Sequence, residues 1–273
     1  MECVYINLDE QTARRNSLES NFHQTCPQGW SIRRVAAVSV RDIEDRDVQG
    51  TLRNTEKACF LSHVKALELG GTCAGHVLIA EDDILFGQES APLIERAVAT
   101  VPDTAWDVIF TDACITGVHA MIELFQLRRT LTPENGFRLI NLKGISFAAA
   151  TSYVVNNDSK RKVRDLLLEH YPLNTPLDLF IRQKVNENAL QACMLFPFAT
   201  SLSGHADDSQ IQVGNGCVTD LVWNSFRRAM WVQRDLEAVE TTLNAIQPRV
   251  YEKSAAVFSR IIAAILSGNL PPK

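Results

Sequence analysis

The chain has 273 residues, of which 46% are hydrophobic and 22% are charged, as is typical of a soluble globular protein with a sizeable core. Its formal net charge of −5 disfavours general nucleic-acid binding, and no apolar segment approaches the ~20 residues that span a bilayer. Seven cysteines without a C-x-x-C pair indicate reduced thiols in a cytosolic protein.

Short apolar runs alternate with longer amphipathic stretches along the chain. The apolar runs predict strands at residues 3–8, 32–38, 76–83, 106–112, 137–142, 151–156 and 190–196. The amphipathic stretches predict helices at residues 12–25, 55–69, 91–101, 121–128, 158–169, 176–187, 219–246 and 250–267. Polar segments predict loops at residues 39–53, with room for one helical turn, and at residues 199–216, and a small, apolar segment predicts a further loop at residues 143–150. This alternation predicts an α/β fold.

The central predicted strand ends in three consecutive carboxylates, Glu81, Asp82 and Asp83. In a strand, Glu81 and Asp83 point to one side and Asp82 to the other, so the outer pair can converge on one hard cation such as Mg²⁺ or Mn²⁺. Ligands of open α/β sheets bind at the carboxyl ends of strands, where these acids lie. A solvated acidic turn is the alternative.

Two other predicted elements carry charge in positions that require an explanation. Arg14 and Arg15 stand near the start of the first helix, where a cation opposes the helix dipole. That placement slightly favours a role in contacting an anion. The alternative is that both arginines are simply solvated. In the helix at residues 55–69, Glu56 and His63 share an otherwise apolar face and need partners if they are buried. A satisfied core histidine is the preferred interpretation of His63 alone.

The last predicted helix carries a stripe of apolar residues at helical spacing, and we expect this stripe to pack on its neighbour or on a second subunit. Docking on a membrane surface is the alternative. We therefore predict two parts, an α/β domain at residues 1–218 and a C-terminal helical extension at residues 219–273. The chain enters a predicted strand almost at once, so we expect no signal peptide and a cytoplasmic protein, with peripheral association at the inner membrane as a further option.

Ordered sequence blocks resemble glycosyltransferase family 25, which contains bacterial lipooligosaccharide galactosyltransferases and collagen galactosyltransferases. The opening Val4-Tyr5-Ile6-Asn7-Leu8-Asp9 with Arg14-Arg15 is similar to the family's V-I-N-L-D…R-R. The segment from Glu56 to His63 is similar to E-x-G-C-x-x-S-H, and the segment from Leu78 to Asp83 to L-I-x-E-D-D. Later blocks at residues 151–155 and 176–178 resemble T-x-Y-x-I and P-x-D. The resemblance covers about residues 3–210.

The resemblance implies a GT-A-like, Rossmann-type α/β/α sandwich, to which the sequence adds a C-terminal helical pair. It implies that Asp83, assisted by Glu81, holds Mn²⁺ or Mg²⁺, with His205 or Asp207 of the late loop as a further ligand. It also implies that Asn7, Asp9 and Arg15 line the nucleotide end of a UDP-sugar donor, and that Glu56 and His63 support this pocket from the helix below.

An inverting reaction needs a carboxylate base on the acceptor hydroxyl, for which Asp178 is the first candidate and Asp112 the second. Asp178 also has an explanation as the first-turn acid of its helix. The family resemblance favours a metal-dependent transferase that moves a hexose, galactose from UDP-galactose, onto a saccharide or glycolipid acceptor in surface-glycan synthesis.

Two other functions stay open at the level of sequence. A metal-dependent hydrolase or nucleotidyltransferase acting on sugar nucleotides would use the same acids, although the chain lacks a P-loop and a G-x-G-x-x-G motif. A non-catalytic carbohydrate-binding or assembly protein, with the terminal helices as its working surface, is the other option. A homodimer through the C-terminal helices is a further expectation.

Overall fold

The structure, a computed structural model, describes residues 1–131, 136–208, 218–239 and 241. Nine strands are assigned in this part of the chain: β1 Glu2–Asn7, β2 Ser31–Ala36, β3 Val77–Glu81, β4 Ile84–Phe86, β5 Val108–Ile115, β6 Arg138–Asn141, β7 Phe147–Val155, β8 Ala192–Phe196 and β9 Thr200–Leu202. The α-helices are α1 Thr12–Thr25, α2 Val40–Asp45, α3 Asn54–Gly70, α4 Ser90–Thr100, α5 Val118–Thr130, α6 Lys160–Leu168, α7 Leu177–Asn186 and α8 Val218–Ala229.

Seven of the strands form one sheet in the order β2-β1-β3-β7-β5-β8-β6. The strands β2, β1, β3, β5 and β8 run in one direction, whereas β7 and β6 run against them. Because β7 separates β3 from β5, the strand that leads into the three acids is not adjacent to the strand that contains Asp112, and Asp112 lies within β5 rather than at its end. The sheet is therefore mixed, with a parallel majority.

Alternate residues of β1 enter two separate hydrophobic cores, as the two-residue repeat of a strand requires. Val4 and Ile6 pack in the core that contains Phe60 and Leu67 of α3. Cys3 and Tyr5 pack in the other core, with residues of α1 and α4. Helices thus cover both faces of the sheet, and the predicted α/β/α sandwich is confirmed.

The predicted loop at residues 143–150 is partly wrong, because β7 already begins at Phe147. The pairing of β5 with β7 shifts register on both sides of Asp112, and Ala149 has a positive φ of 65°. A bulge of this kind breaks the regular alternation of side chains. The apolar run therefore lacks the period that would have marked it as a strand.

The polar segment predicted as a loop at residues 199–216 begins with a strand. β9 pairs antiparallel with β4, which directly follows the three acids, to form a second sheet of two strands. Residues 209–217 of this segment lie outside the described part of the chain.

The first C-terminal helix is shorter than the sequence predicts. The sequence predicts one helix at residues 219–246, but α8 ends at Ala229, Met230 is fully buried, and Trp231 forms a bridge with Phe198. The second predicted helix and its apolar stripe, at residues 250–267, lie outside the described residues. The predicted division at residue 218 thus stays a prediction.

Within the described ranges, no helix has the length and apolar character needed to cross a membrane. The six cysteines of these ranges are free thiols, and Cys217 lies outside them.

Candidate active site

The three acids lie where β3 ends and the chain turns into β4. Arg14 of α1 forms ion pairs with Asp82 at 2.7 Å and with Asp83 at 3.0 Å. The amide of Asn7, at the end of the neighbouring strand β1, donates a hydrogen bond of 2.7 Å to Asp82. Asp82 is therefore held by two partners, and its role is to fix the turn that presents Glu81 and Asp83.

The structure assigns the arginine of this site to Arg14 rather than to the predicted Arg15. Arg14 and Asn7 line a cavity of about 150 Å³ beside the acids, whereas Arg15 and Asp9 do not line it. Asp9 is exposed and pairs with Arg34, whose hydrogen bond and charge lower the pKa of Asp9. The geometry thus supports Asn7 as a nucleotide-side residue and does not support Asp9 or Arg15.

Asp83 is the least satisfied acid of the three. It is 8% exposed, and its Oδ1 atom is buried without a hydrogen-bond partner in the part of the chain that the structure describes. Burial, followed by the charge of Glu81, raises the pKa of Asp83 to about 7, although Arg14 opposes the shift. A buried carboxylate oxygen without a donor is the arrangement that a hard divalent cation compensates, so the site fits Mn²⁺ or Mg²⁺.

His63 of α3 supports Glu81 from below, and its predicted role at the nucleotide pocket stays a prediction. His63 is buried, with Nε2 3.2 Å from Glu81 Oε1 and Nδ1 3.0 Å from the Tyr153 hydroxyl. Tyr153, His63 and Glu81 all have a hydrogen-bond partner when the Tyr153 hydroxyl donates to His63 Nδ1 and the His63 Nε2–H donates to Glu81. Burial by itself raises the pKa of Glu81, but the hydrogen bond from His63 and nearby positive charges outweigh burial and lower it.

A second, larger cavity of about 360 Å³ lies on the other side of the acids. Cys59, Glu81 and Asp83 line both cavities, so the acids stand where the two spaces meet. A transferase needs this arrangement, because its donor and acceptor must reach one reacting centre from different directions.

Asp178 lines the larger cavity at the start of α7. Its Oδ2 accepts a hydrogen bond from the backbone N–H of Ala149 and its Oδ1 one from Leu179, both at 2.9 Å. These two bonds fix the carboxylate in a half-buried position beside the acids. Glu56 lines the same cavity, where the hydrogen bond from Arg53 lowers the pKa of Glu56 against the effect of burial.

Asp112 does not have the surroundings of a catalytic base. It is fully buried and forms an ion pair with Arg227 of α8, whose Nε lies 2.9 Å from Asp112 Oδ1. Thr151 provides a further hydroxyl contact at 3.4 Å. The second candidate base is therefore corrected to a structural residue that binds α8 to the sheet.

The predicted late ligands lie in a 3₁₀ turn at Gly204–Asp208. This turn follows Ser203, whose backbone N–H donates to the carbonyl of Asp83 at 2.8 Å. Ala206 lines the larger cavity, whereas His205 lines neither cavity, and the side chain of Asp207 lies outside the described part of the structure. A third ligand from this turn stays a prediction.

Cys59 and Arg227 are site residues to which the sequence assigns no role, and the sequence names Arg14 only beside Arg15, which it places at the nucleotide end. Cys59 carried a detectable signal, because it lies one helical turn before His63 on the same face of α3. Arg227 carried none, since it is 115 residues from Asp112 in the chain.

The sequence model of the family described as Glycosyltransferase family 25 (LPS biosynthesis protein) matches residues 1–181. The search of curated proteins gave no match. The matched segment runs from β1 into α7, so it contains the three acids, Arg14 and Asp178, whereas α8 lies beyond it.

Solved structures of sugar-nucleotide enzymes are similar to this chain at low identity. An active-site mutant of LgtC is 13% identical over 71% of this chain and 72% of its own, with a TM-score of 0.42. Galactosyltransferase LgtC in complex with donor and acceptor sugar analogs is 14% identical over 71% of this chain and 73% of its own, with a TM-score of 0.37. Mouse xyloside xylosyltransferase 1, in its apo form, is 9% identical over 70% of this chain and 63% of its own, with a TM-score of 0.34.

Proposed function

This chain belongs to glycosyltransferase family 25, and we propose that it is a metal-dependent, inverting hexosyltransferase that uses a UDP-sugar donor. One observation carries the proposal. Two cavities meet at Glu81 and Asp83, and one oxygen of Asp83 is buried there without a partner among the residues that the structure describes. Galactose as the sugar and a saccharide of a surface glycan as the acceptor follow from the family resemblance. We also propose that the enzyme acts in the cytoplasm, at the inner face of the membrane.

Glu81 and Asp83 are the residues that would hold Mn²⁺ or Mg²⁺ in this enzyme. The bound ion would neutralise charge on the leaving diphosphate of the donor. His63 and Tyr153 keep Glu81 in place, and Arg14 keeps Asp83 in place. We assign the nucleotide to the smaller cavity, because it holds Arg14 and the amide of Asn7 next to the acids.

We assign the acceptor to the larger cavity and the base to Asp178. An inverting transfer needs a carboxylate on the acceptor side that takes the proton of the attacking hydroxyl. Asp178 is half-buried there, and two backbone N–H groups orient it. Each carboxylate oxygen keeps a lone pair for an acceptor hydroxyl, since each accepts only one of these bonds.

Donor hydrolysis tests the proposal without a known acceptor. We would incubate the protein with UDP-galactose, UDP-glucose, UDP-N-acetylglucosamine or GDP-mannose, with Mn²⁺ or EDTA, and measure released UDP or GDP. We expect metal-dependent release from one UDP-sugar, reduced about 100-fold or more in Asp83→Asn. Asp45→Asn, an exposed carboxylate of α2, is the control and should behave as wild type.

Full donor turnover by Asp83→Asn in the presence of EDTA would show that the acids do not hold a catalytic metal. Pyrophosphate release from a nucleoside triphosphate would instead indicate the nucleotidyltransferase. Binding of nucleotide without turnover under any metal or acceptor would indicate the non-catalytic alternative.

A further inference from the structure

We propose that Cys59, His63 and Glu81 form a second metal site, suited to a thiophilic divalent cation such as Zn²⁺. This site differs from the oxygen-only pair at Glu81 and Asp83 in its donor atoms. The proposal stands whether or not the chain transfers sugars, because it concerns ion binding alone.

The fold brings the three side chains together from two elements. Cys59 and His63 are four residues apart on α3, so both project from one face of that helix. Glu81 reaches the same point from the end of β3. One ligand atom of each residue lies within 4.8 Å of the others, and among the described residues no other trio of His, Cys, Asp or Glu does so.

The donor set of sulfur, nitrogen and oxygen selects the kind of ion. Thiolate and imidazole favour Zn²⁺ over Mg²⁺ or Mn²⁺, which prefer oxygen ligands. Three protein ligands leave the fourth tetrahedral position to water or to a substrate group. The cavities supply that access, since Cys59 and Glu81 line both of them.

His63 already has the outer partner that metal-bound histidines require. The Tyr153 hydroxyl lies 3.0 Å from Nδ1, which leaves Nε2 directed at Glu81. A partner on the second ring nitrogen fixes the orientation and tautomer of a ligating imidazole. In the ion-bound state the imidazole carries its proton on Nδ1, Nε2 faces the ion, and the Cys59 thiol releases one proton to solvent.

The surrounding charges favour a cation at this point. Burial, followed by the charges of Glu81, Asp178, Asp83 and Glu56, raises the pKa of the Cys59 thiol, and a bound cation opposes both effects. A divalent ion reduces the repulsion among these groups. An ion held here also occupies Glu81, so the two metal sites exclude each other at that carboxylate.

Cobalt is the probe for the test, because a thiolate bound to Co²⁺ gives a near-ultraviolet charge-transfer band. The full-length protein would be stripped with chelator, kept reduced and titrated with CoCl₂, with bound metal counted by mass spectrometry. We expect one strongly bound Co²⁺ per chain with the thiolate band, displaced by Zn²⁺ and not by Mg²⁺. Cys59→Ser should remove the band and weaken binding about tenfold or more.

Two variants make the result specific. Cys193→Ser removes another partly exposed free thiol, on β8, and should leave the band unchanged. Asp83→Asn should keep the band even where it abolishes donor turnover, which separates this site from the proposed catalytic metal. The proposal is overturned if wild type gives no band, or if the band persists in Cys59→Ser with an unchanged circular dichroism spectrum.

Discussion

Arg14 is the residue that allows three adjacent carboxylates to coexist at one strand end. It pairs with Asp82 and Asp83, and its charge is the main influence that opposes the raised pKa of Asp83. The third acid, Glu81, depends instead on His63. Two groups from different helices therefore support the acidic motif. Arg14 of α1 contributes ion pairs, and His63 of α3 contributes a hydrogen bond.

Arg14→Gln should make Mn²⁺ binding depend more strongly on pH, because the pKa of Asp83 rises further when its ion pair is lost. A carboxyl group with a higher pKa is more protonated at pH 7 and must lose that proton to bind the ion. We expect a defect in affinity at pH 7 relative to pH 8.5 that is about fourfold larger than in wild type, for a rise of about one pKa unit. The comparison of the two pH values cancels the loss of repulsion between Arg14 and the ion. Calorimetric titration with Mn²⁺ at both pH values measures this ratio.

Arg15→Gln is the matched control, since it removes the same charge from the next residue of α1. It should bind Mn²⁺ as wild type does. Equal defects in the two variants would mean that the general positive charge of α1, rather than the Arg14 ion pairs, supports the site.

Asp178→Asn and Asp112→Asn should fail in different ways. Asp178→Asn should lower acceptor-stimulated UDP release by about 10²–10⁴-fold, because the proposed base is lost. The free energy of unfolding should fall by only about 1 kcal/mol, because the variant loses one backbone hydrogen bond. Asp112→Asn leaves Arg227 buried without its counter-ion and should cost about 3–5 kcal/mol of unfolding free energy. Urea unfolding and the UDP assay separate the two; a stable but inactive Asp112→Asn would contradict this assignment.

The sequence identifies the acidic motif and His63 but not their partners, for a physical reason. Glu81, Asp82 and Asp83 follow an apolar run, and His63 lies on an apolar helix face, so local patterns suffice. Consecutive residues of a helix point about 100° apart. Only the packing angle of α1 on the sheet decides that Arg14, and not Arg15, faces the acids.

At the scale of elements, Asp107 links three parts of the chain at the opposite side of the fold. Just before β5, it accepts hydrogen bonds from Lys162 of α6 and from Ser159, both at 2.6 Å, and from the backbone N–H of Gln191 at 2.8 Å. Burial raises the pKa of Asp107, but these bonds outweigh it and lower the pKa.

Asp107 should therefore stabilise the fold at neutral pH and lose that effect in acid. Its folded pKa lies below the unfolded value of about 3.9, so its contribution is complete above that pH and disappears as pH falls through the folded pKa. Asp107→Asn should lower the free energy of unfolding by about 1–3 kcal/mol at pH 7. The difference from wild type should shrink below about pH 4. Urea unfolding from pH 3 to 7 measures this.

Asp45→Asn is the control for that series, because its exposed carboxylate lies 3.9 Å from Arg41 and contributes little. It should stay within about 0.5 kcal/mol of wild type at every pH. If the unfolding free energy of Asp107→Asn differs from wild type by the same amount at every pH, packing rather than charge accounts for the lost stability.

Helix α8 supplies a wall of the larger cavity from outside the family-matched segment. Trp223 and Asn224 line that cavity, and within the described residues the Trp223 Nε1 atom is buried without a partner. Trp223→Leu should raise the KM for acceptor about tenfold while leaving donor hydrolysis unchanged. Ser225→Ala, an exposed position of the same helix, should change neither. A change in donor hydrolysis would place the donor, not the acceptor, against α8.

Elements with a long, regular hydrophobic period are those that the sequence predicts well. α3 matches within one residue at each end because its buried face repeats over several turns, whereas α1 matches although only Leu18 and Phe22 mark its buried face. β4 and β9 are missed, since three residues contain no measurable period and their pairing joins segments more than 110 residues apart. The end of α8 is missed because the buried contacts of Met230 and Trp231 interrupt a pattern that would continue as helix.

At the scale of the whole molecule, the family-matched segment does not contain a complete sheet. β8 lies between β5 and β6 and pairs with both, yet it follows residue 181. Phe196, Phe198 and Met230 belong to the larger hydrophobic core. Arg227 of α8 neutralises the buried Asp112 from the same late part of the chain. The acidic motif and Asp178 thus depend on packing that the later residues provide.

A chain that ends at Asn188 should therefore fail to fold, although it keeps the three acids, Asp178 and all of α7. It loses the apolar burial of four large side chains (Met194, Leu195, Phe196 and Phe198), at about 1.5–3 kcal/mol each. That sum is comparable to the whole stability of a typical domain, about 5–15 kcal/mol. It also leaves Asp112 without its counter-ion and β5 without a partner on one side. Circular dichroism and urea titration should show no cooperative unfolding transition.

Co-expression of residues 189–273 with the shortened chain is the control, because the cut falls in the exposed turn after α7. The second fragment restores β8, β9 and Arg227, so the pair should purify together and unfold cooperatively. A shortened chain that unfolds cooperatively by itself would mean that the first 188 residues form an independent domain. In that case the sheet must tolerate an open edge at β5, and the role of Arg227 in neutralising Asp112 must be dispensable.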